Sequence, residues 1–145
     1  MIARSEPVGR DMTRSEVDVL ISGGGVAGLA AAAAFGSRGF SVLCVDPVAP
    51  ATSEAAPDAD LRSTAFLQPS IPVLEEAGLW ARLAPHAMPL QIMRIVDAGA
   101  PGEGPRSIRD FDAADISDAP FGWNLPNWLL RREMLARIGT LEGVD

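Results

Sequence analysis

The length, composition and charge of the chain restrict the kinds of protein it can be. Its 145 residues are enough for one domain of ordinary size, and 48% hydrophobic with 21% charged residues is the composition of a globular protein. The net charge is -7 and no run of basic residues is present, so we expect no nucleic acid partner. A single cysteine and a single histidine predict neither a disulfide nor a metal site.

The amino-terminal segment mixes acidic and basic side chains with Pro7 and Gly9 and has no apolar run of the kind found in secretory signals. We therefore expect residues 1–16 to be a disordered leader of a cytoplasmic protein. The longest apolar stretch, residues 26–35, is mostly alanine and falls short of the roughly 20 residues that span a bilayer. No membrane-spanning helix is predicted.

A strand, a glycine turn, a helix and a second strand are predicted first. Residues 17–22 carry β-branched side chains at alternate positions, which indicates a buried strand. Residues 26–38 are rich in alanine, the best helix former, and Gly39 follows where a left-handed residue often ends a helix. Residues 40–45 predict the second strand, in which Cys44 should be a packing residue. Together these elements form one βαβ unit of an α/β fold.

The later elements are predicted with less regular spacing. In chain order they are a surface loop at 47–60, two short helical pieces on either side of Gly78, a strand at 92–97, its hairpin partner at 107–111 and a helix from Asn127 to Ile138. Asn127 is a residue type that commonly caps helices. Residues 143–145 should enter a further strand. Three or four strands are fewer than a doubly wound sheet contains, so we expect the chain to be truncated before its sheet is complete.

Residues 23–28 satisfy the pattern G-x-G-x-x-G of dinucleotide-binding turns. The pattern alone is weak evidence, but here it follows a predicted strand and opens a predicted helix. An acidic residue, Asp46, also ends the next strand 18 positions after Gly28. Val26 and Ala27 lie at the start of the helix, where unpaired N–H groups favour phosphate. We therefore predict a dinucleotide site at this turn.

Each residue of the pattern has a physical task in such a site. Gly23 would make the tight turn, Gly25 would let the backbone approach a pyrophosphate, and Gly28 would let the helix pack closely on the sheet. Asp46 would accept hydrogen bonds from the ribose hydroxyls of the adenosine. A glycine-rich loop without any ligand is the alternative.

Four further segments carry a family resemblance. They are Asp-Leu-Arg-Ser-Thr-Ala-Phe at 60–66, Gln-Pro-Ser at 68–70, Leu-Glu-Glu-Ala-Gly-Leu-Trp at 74–80 and Phe-Gly-Trp-Asn-Leu-Pro-Asn-Trp-Leu-Leu-Arg-Arg at 121–132. The chain resembles the flavin-dependent aromatic-ring hydroxylases related to para-hydroxybenzoate hydroxylase, and among them the ubiquinone-biosynthesis branch. The resemblance implies a Rossmann-like FAD-binding domain, of which residues 17–145 would be the amino-terminal part.

The resemblance also implies roles for individual side chains. Arg62 matches an arginine that contacts FAD near its pyrophosphate and ribityl chain, which suits the donor fork of a guanidinium. Asn127 matches an amide that lines the flavin side, although a helix cap explains it equally well. Of Arg131 and Arg132 one could face the cofactor, but solvated arginines are the favoured interpretation. No catalytic residue is predicted.

The implied reaction is hydroxylation of a small aromatic molecule, such as a ubiquinone precursor, with FAD as cofactor and NAD(P)H and O2 as co-substrates. Peripheral association with a membrane or a multi-enzyme complex is left open. The family's later nicotinamide and ribityl segments are absent from the sequence, so we expect this chain alone to be inactive. The alternatives are a halogenase or polyprenyl-lipid reductase of the same cofactor fold, an NAD-dependent dehydrogenase, against which the Asp-x-Arg segment argues, and a non-enzymatic nucleotide-binding or interaction module.

Overall fold

The structure is a computed structural model that describes residues 16–145. Residues 1–15 of the predicted leader (1–16) therefore lie outside the described part. The strands are β1 (Val19–Ser22), β2 (Val42–Val45), β3 (Ser63–Leu67), β4 (Met88–Pro89), β5 (Ile92–Asp97), β6 (Ser107–Asp112) and β7 (Gly122–Pro126). The α-helices are α1 (Val26–Gly36), α2 (Ile71–Glu76), α3 (Trp80–Leu83) and α4 (Asn127–Ile138). The predicted α/β class is confirmed.

The predicted βαβ unit is present. β1 and β2 are parallel, with Val19 opposite Val42, and α1 packs on both strands. Helix α1 ends at Gly36, two residues earlier than predicted, because the chain turns over 37–39 and Gly39 has a φ of 83°. Residues 143–145 bond to β2 in parallel, as expected of an entering strand.

The burial expected of β1 is wrong. Leu20 is 65% exposed, and the burial along the strand alternates between half-buried and exposed positions. The reason is that α1 covers one face of the β1–β2 sheet, while no described element covers Leu20 on the other. An alternating pattern of β-branched residues indicates a strand but does not say whether both of its faces are covered.

A three-stranded antiparallel sheet, in the order β3-β7-β4, is the main element that the sequence analysis missed. Strand β3 begins with small and polar residues and ends with Phe66 and Leu67. It pairs with β7 so that Ser63 lies opposite Pro126 and Leu67 opposite Gly122. The partner strands are separated by more than 50 residues of chain, so no local pattern reveals their pairing. The predicted total of three or four strands is therefore too low for the described residues, which form seven.

The other late elements agree with prediction. Strands β5 and β6 form the expected hairpin, with Ile92 opposite Asp112, and β6 is one residue longer than predicted. Helices α2 and α3 flank Gly78, whose φ is 70°, and residues 47–60 contain no helix or strand. None of the described helices combines the length and apolar character needed to cross a membrane.

The hydrophobic core lies between α1, α4, the α2–α3 pair and the inner face of the β3-β7-β4 sheet. Its largest fully buried side chains are Leu79, Leu83, Leu125, Leu130, Met134 and Val42. Burial of this kind stabilises by about 1.5–3 kcal/mol for each large apolar side chain. The packing of α4 against α1 holds the first turns of these two helices beside a common cavity.

Candidate functional site

The glycine turn between β1 and α1 has the geometry that its pattern predicts. Gly23 has a φ of 112°, a conformation that residues with a Cβ rarely adopt. A Cβ on Gly28 would lie 1.9 Å from the carbonyl oxygen of Gly23, so only glycine allows α1 to approach the turn this closely. A Cβ on Gly25 would meet nothing within 4 Å. The backbone is therefore tightly packed at Gly28, whereas Gly25 has free space beside its Cα.

Asp46 holds the turn from the end of β2. Its carboxylate accepts hydrogen bonds from the backbone N–H of Gly24 at 2.7 Å and of Val48 at 3.0 Å. These two bonds lower the pKa of Asp46 below its usual range, and the bond from Val48 has the larger effect. Desolvation acts in the opposite direction. The half-buried thiol of Cys44 lies nearby, and burial raises its pKa, which fits the packing role expected of it.

A cavity of about 310 Å³ opens beside Asp46. It is lined by Gly24, Gly25, Asp46, Val48, Ala49, Pro50, Ala51, Asp58 and Arg131. Most of these residues belong to the turn and to the loop after β2. The predicted surface loop at 47–60 thus forms one wall of the site.

Arg62 lies in the loop before β3 and pairs with Asp60. Its Nε and Nη2 both donate to the Asp60 carboxylate at 2.9 Å, while 83% of the Arg62 side chain remains exposed. The Asp60 side chain is only 12% exposed. Its bonds from Arg62 and Asn127 hold the pKa of Asp60 far below its ordinary range. Asp60 is therefore a permanent anion at neutral pH.

Asn127 does not cap α4, so that part of its interpretation is wrong. Pro126 occupies the N-cap position in an extended conformation, and the Asn127 side chain turns into the protein, where it is 7% exposed. Its Oδ1 accepts a hydrogen bond from the Thr64 hydroxyl at 2.7 Å, and its Nδ2 donates to Asp60 at 2.9 Å. These two bonds fix the orientation of the amide.

Arg131 is a site residue that the sequence analysis assigned to solvent. Its side chain is 22% exposed, its Nη2 lies 3.7 Å from Asp60, and its Nε is buried without a hydrogen-bond partner among the described residues. Arg132 behaves as expected of a surface residue, since it stacks over Trp128 and pairs with Glu133. The four-residue spacing from Asn127, which places Arg131 on the same helix face, was the available signal.

A second cavity, of about 390 Å³, joins these side chains to the glycine turn. It is lined by Gly25, Val26, Asp60, Arg62, Ser63, Thr64, Asn127 and Arg131. Gly25 and Arg131 line both cavities, so the two form one elongated site. The structure thus brings together Gly25, Val26, Asp46, Arg62 and Asn127 of the predicted residues. Gly23 and Gly28 shape the turn, and Ala27 lines neither cavity.

These features fit a ligand with a diphosphate at its centre. Gly25 offers space at a helix amino terminus, where backbone N–H groups favour an anion. The unpaired Nε of Arg131 is a buried donor in the same place, and such atoms ordinarily have partners. Asp46 supplies a carboxylate on one side of this centre, and amide and guanidinium donors line the other. The fold and the site define a dinucleotide-binding protein.

Comparison with known families identifies the dinucleotide. Residues 16–136 match the FAD binding domain family, and the chain belongs to it. The prediction of FAD rather than a nicotinamide dinucleotide as the bound cofactor is confirmed at the level of the family.

Individual proteins are also similar to the chain. The chain is 34% identical over 124 residues to a ubiquinone hydroxylase, UbiL of Rhodospirillum rubrum. The aligned region covers 86% of this chain and 27% of that protein. It thus spans about a quarter of the length of this curated relative. Pseudomonas aeruginosa PqsL in complex with 2-aminobenzoylacetate has a similar structure, with a TM-score of 0.58 and 26% identity over 89% of this chain and 32% of that one. Pseudomonas putida p-nitrophenol 4-monooxygenase PnpA shares the fold, with a TM-score of 0.61 and 18% identity over 88% of this chain and 30% of that one.

Proposed function

We propose that the full-length protein is an FAD-dependent monooxygenase that hydroxylates an aromatic ring of the ubiquinone-precursor class, with NAD(P)H and O2 as co-substrates. The observation that carries the proposal is the 34% identity to a ubiquinone hydroxylase, which extends across 86% of this chain. In the proposed reaction, one oxygen atom of O2 enters a ring C–H bond. The other leaves as water, with two electrons from NAD(P)H and a proton.

The residues of the site suggest how the cofactor would be held. Asp46 would accept hydrogen bonds from the adenosine ribose, and the open backbone at Gly25 would face the phosphates. Arg131, which lines both cavities, would donate to the same phosphates from the opposite wall. Arg62 and Asn127, which line the second cavity, would face the ribityl chain.

Bound FAD would supply the redox chemistry, and this part of the protein would supply binding and orientation. No side chain that lines the two cavities is assigned a proton-transfer role. Asp60 and Asp46 are held as carboxylates by hydrogen bonds to their charged forms, which suits them to fix donors and not to exchange protons.

The test is a visible spectrum of the purified full-length protein, followed by NAD(P)H oxidation with phenolic ubiquinone precursors. We expect a flavin spectrum and one hydroxylated product for each NAD(P)H and O2 consumed. A colourless protein with normal folding would contradict FAD binding and favour a dehydrogenase or a non-enzymatic module. A yellow protein that consumes NAD(P)H without ring hydroxylation would contradict the monooxygenase and favour a reductase. A halide-dependent product would favour a halogenase.

We propose that the substrate of the whole protein is a small aromatic molecule, and we expect no nucleic acid partner. Peripheral attachment to a membrane or a multi-enzyme complex stays a prediction, which co-sedimentation of the full-length protein with anionic lipid vesicles would check.

A further inference from the structure

Asp60 is the point at which the side-chain donors of the site converge. Its two oxygens accept two side-chain and one backbone hydrogen bond from Arg62 and one from Asn127, and the Nη2 of Arg131 lies 3.7 Å from Oδ2. These donors come from separate parts of the chain, since Asn127 is 67 residues from Asp60 in sequence. One carboxylate therefore ties the loop before β3 to the first two turns of α4.

The geometry leaves part of each donor group free. Asp60 takes the Nε–Nη2 edge of Arg62, and the Nη1 donors and the second Nη2 proton remain on the exposed side of the guanidinium. In Arg131 the Nη2 lies 3.7 Å from Asp60, too far for a hydrogen bond, so its protons are free. Both arginines can thus keep their contact with Asp60 and still donate to a ligand in the second cavity.

We propose that Asp60 is a positioning residue that aims Arg62, Asn127 and Arg131 at the diphosphate and ribityl part of FAD. It does not touch the cofactor itself but acts through these donors. The inference rests on the proposed function, because it takes the second cavity as the place of that part of FAD. An ordered donor set loses less side-chain entropy when a ligand binds, which is why fixing it in advance strengthens binding.

Simple electrostatics makes the opposite prediction. Removing the Asp60 charge makes the cavity more positive, which by itself would strengthen the binding of an anionic cofactor. The two accounts therefore differ in the sign of the effect. Asp60→Asn is the variant that separates them, because asparagine keeps the size of the side chain and removes the charge.

The experiment is an FAD titration of the full-length apoprotein, with flavin fluorescence quenching as the readout. The matched control is Asp110→Asn, which breaks a similar two-bond pair with Arg94 on the β5–β6 hairpin, outside the cavity. We expect Asp60→Asn to weaken FAD binding roughly tenfold, equivalent to ~1.4 kcal/mol, and Asp110→Asn to leave it unchanged. Urea unfolding of both apoproteins reports whether the fold is kept.

A double-mutant cycle distinguishes positioning from a general structural effect. If Asp60 acts through its donors, Arg62→Gln and Asn127→Ala should cost less affinity in the Asp60→Asn background than in the parent protein. Independent sites would give additive losses. Should Asp60→Asn fail to fold, Asp60→Glu takes its place in the same cycle, because it keeps the charge and displaces the carboxylate by one methylene.

The possible results of these titrations either support or overturn the inference. A tenfold loss with non-additive cycles supports the inference. Unchanged or tighter FAD binding by Asp60→Asn, or strictly additive losses in both cycles, overturns it. Asp46→Ala and Arg131→Met test the site itself. If they weaken FAD binding while Asp60→Asn does not, only the role of Asp60 is wrong. If they too have no effect, the site is wrong and the inference fails with it.

Discussion

The two ends of the candidate site offer a ligand different kinds of donor. At the glycine turn the donors are backbone N–H groups, whose positions depend on the absence of a Cβ at Gly28, while the missing Cβ at Gly25 leaves space for a ligand. At the other end the donors are the side chains of Arg62, Asn127 and Arg131, and their positions depend on one carboxylate, Asp60. The turn is set within six residues of chain, whereas the arginine end is assembled from segments more than 60 residues apart.

The difference has consequences for mutation. A backbone site fails when a side chain is added, because the turn has no alternative conformation that keeps Gly28 close to Gly23. A side-chain site loses affinity one donor at a time, since each donor contributes separately unless it shares a partner. Changes at the turn should therefore affect folding and binding together, whereas removing a single arginine at the other end should affect mainly binding.

Gly28→Ala should have the largest effect. The added methyl group would lie 1.9 Å from the Gly23 carbonyl oxygen, and a backbone atom cannot rotate away. We expect a loss of about 1–3 kcal/mol in the free energy of unfolding, together with loss of FAD binding. Urea unfolding and FAD titration of the full-length protein measure both. Gly139→Ala is the control, because its Cβ would make only ordinary contacts at the end of α4. Wild-type stability in Gly28→Ala would show that the turn can open.

Arg131→Met should come next and should affect mainly binding. Loss of a charge-assisted donor to phosphate costs about 1.5–3 kcal/mol, or roughly 10- to 150-fold in affinity. The stability of the apoprotein should change little, because the Nε has no partner there and the Nη2 lies 3.7 Å from Asp60, too far for a hydrogen bond. Arg132→Met is the control, since Arg132 faces Trp128 and Glu133. Equal FAD affinities of the two variants would mean that Arg131 is not in the site.

Arg62→Lys should have a smaller effect on affinity. Arginine can donate to Asp60 from one edge of its planar guanidinium and to a ligand from another. Lysine keeps the charge but lacks this planar group of donors. Because Arg62 is 83% exposed, we expect only a roughly 3- to 10-fold loss of FAD affinity. Under the proposed function, NADPH oxidation should also release more hydrogen peroxide per product, which a peroxide assay beside product analysis would detect. A lysine variant equal to the parent in affinity and peroxide release would place Arg62 outside the site.

The smallest effect should be a pH dependence of stability. Because Arg62 and Asn127 lower the pKa of Asp60 in the folded protein, the ionised form stabilises the fold above the unfolded pKa of about 3.9. This contribution is lost as the pH falls below that value toward the folded pKa. The urea midpoint of the parent should therefore decrease more between pH 6 and pH 3 than that of Asp60→Asn. Parallel pH profiles would contradict this coupling.

Much of the backbone site followed from the sequence, because its information is local. The order of strand, glycines, helix, strand and Asp46 lies within 30 residues and needs only spacing and propensity to be recognised. The same holds for the β5–β6 hairpin and for the break at Gly78. Helix α1 was predicted two residues too long, since residues 37–39 are chemically compatible with either a helix or a turn.

The arginine end was only partly predictable, because its contacts are long-range. The resemblance at Asp60 and Arg62 indicated that Arg62 matters, but not that Asp60 would hold it. Asn127 looked like a cap, and the residue before it, Pro126, took that position instead. The β3–β7 pairing, which brings Thr64 beside Asn127, has no signal in either strand alone.

The most direct test of the account is a crystal structure of the full-length protein with FAD bound. We expect a phosphate oxygen within hydrogen-bond distance, roughly 2.7–3.2 Å, of both the Gly25 N–H and a guanidinium nitrogen of Arg131. The same structure should retain both side-chain bonds from Arg62 to Asp60. A diphosphate bound elsewhere, with no contact to the Arg131 guanidinium, would contradict the account.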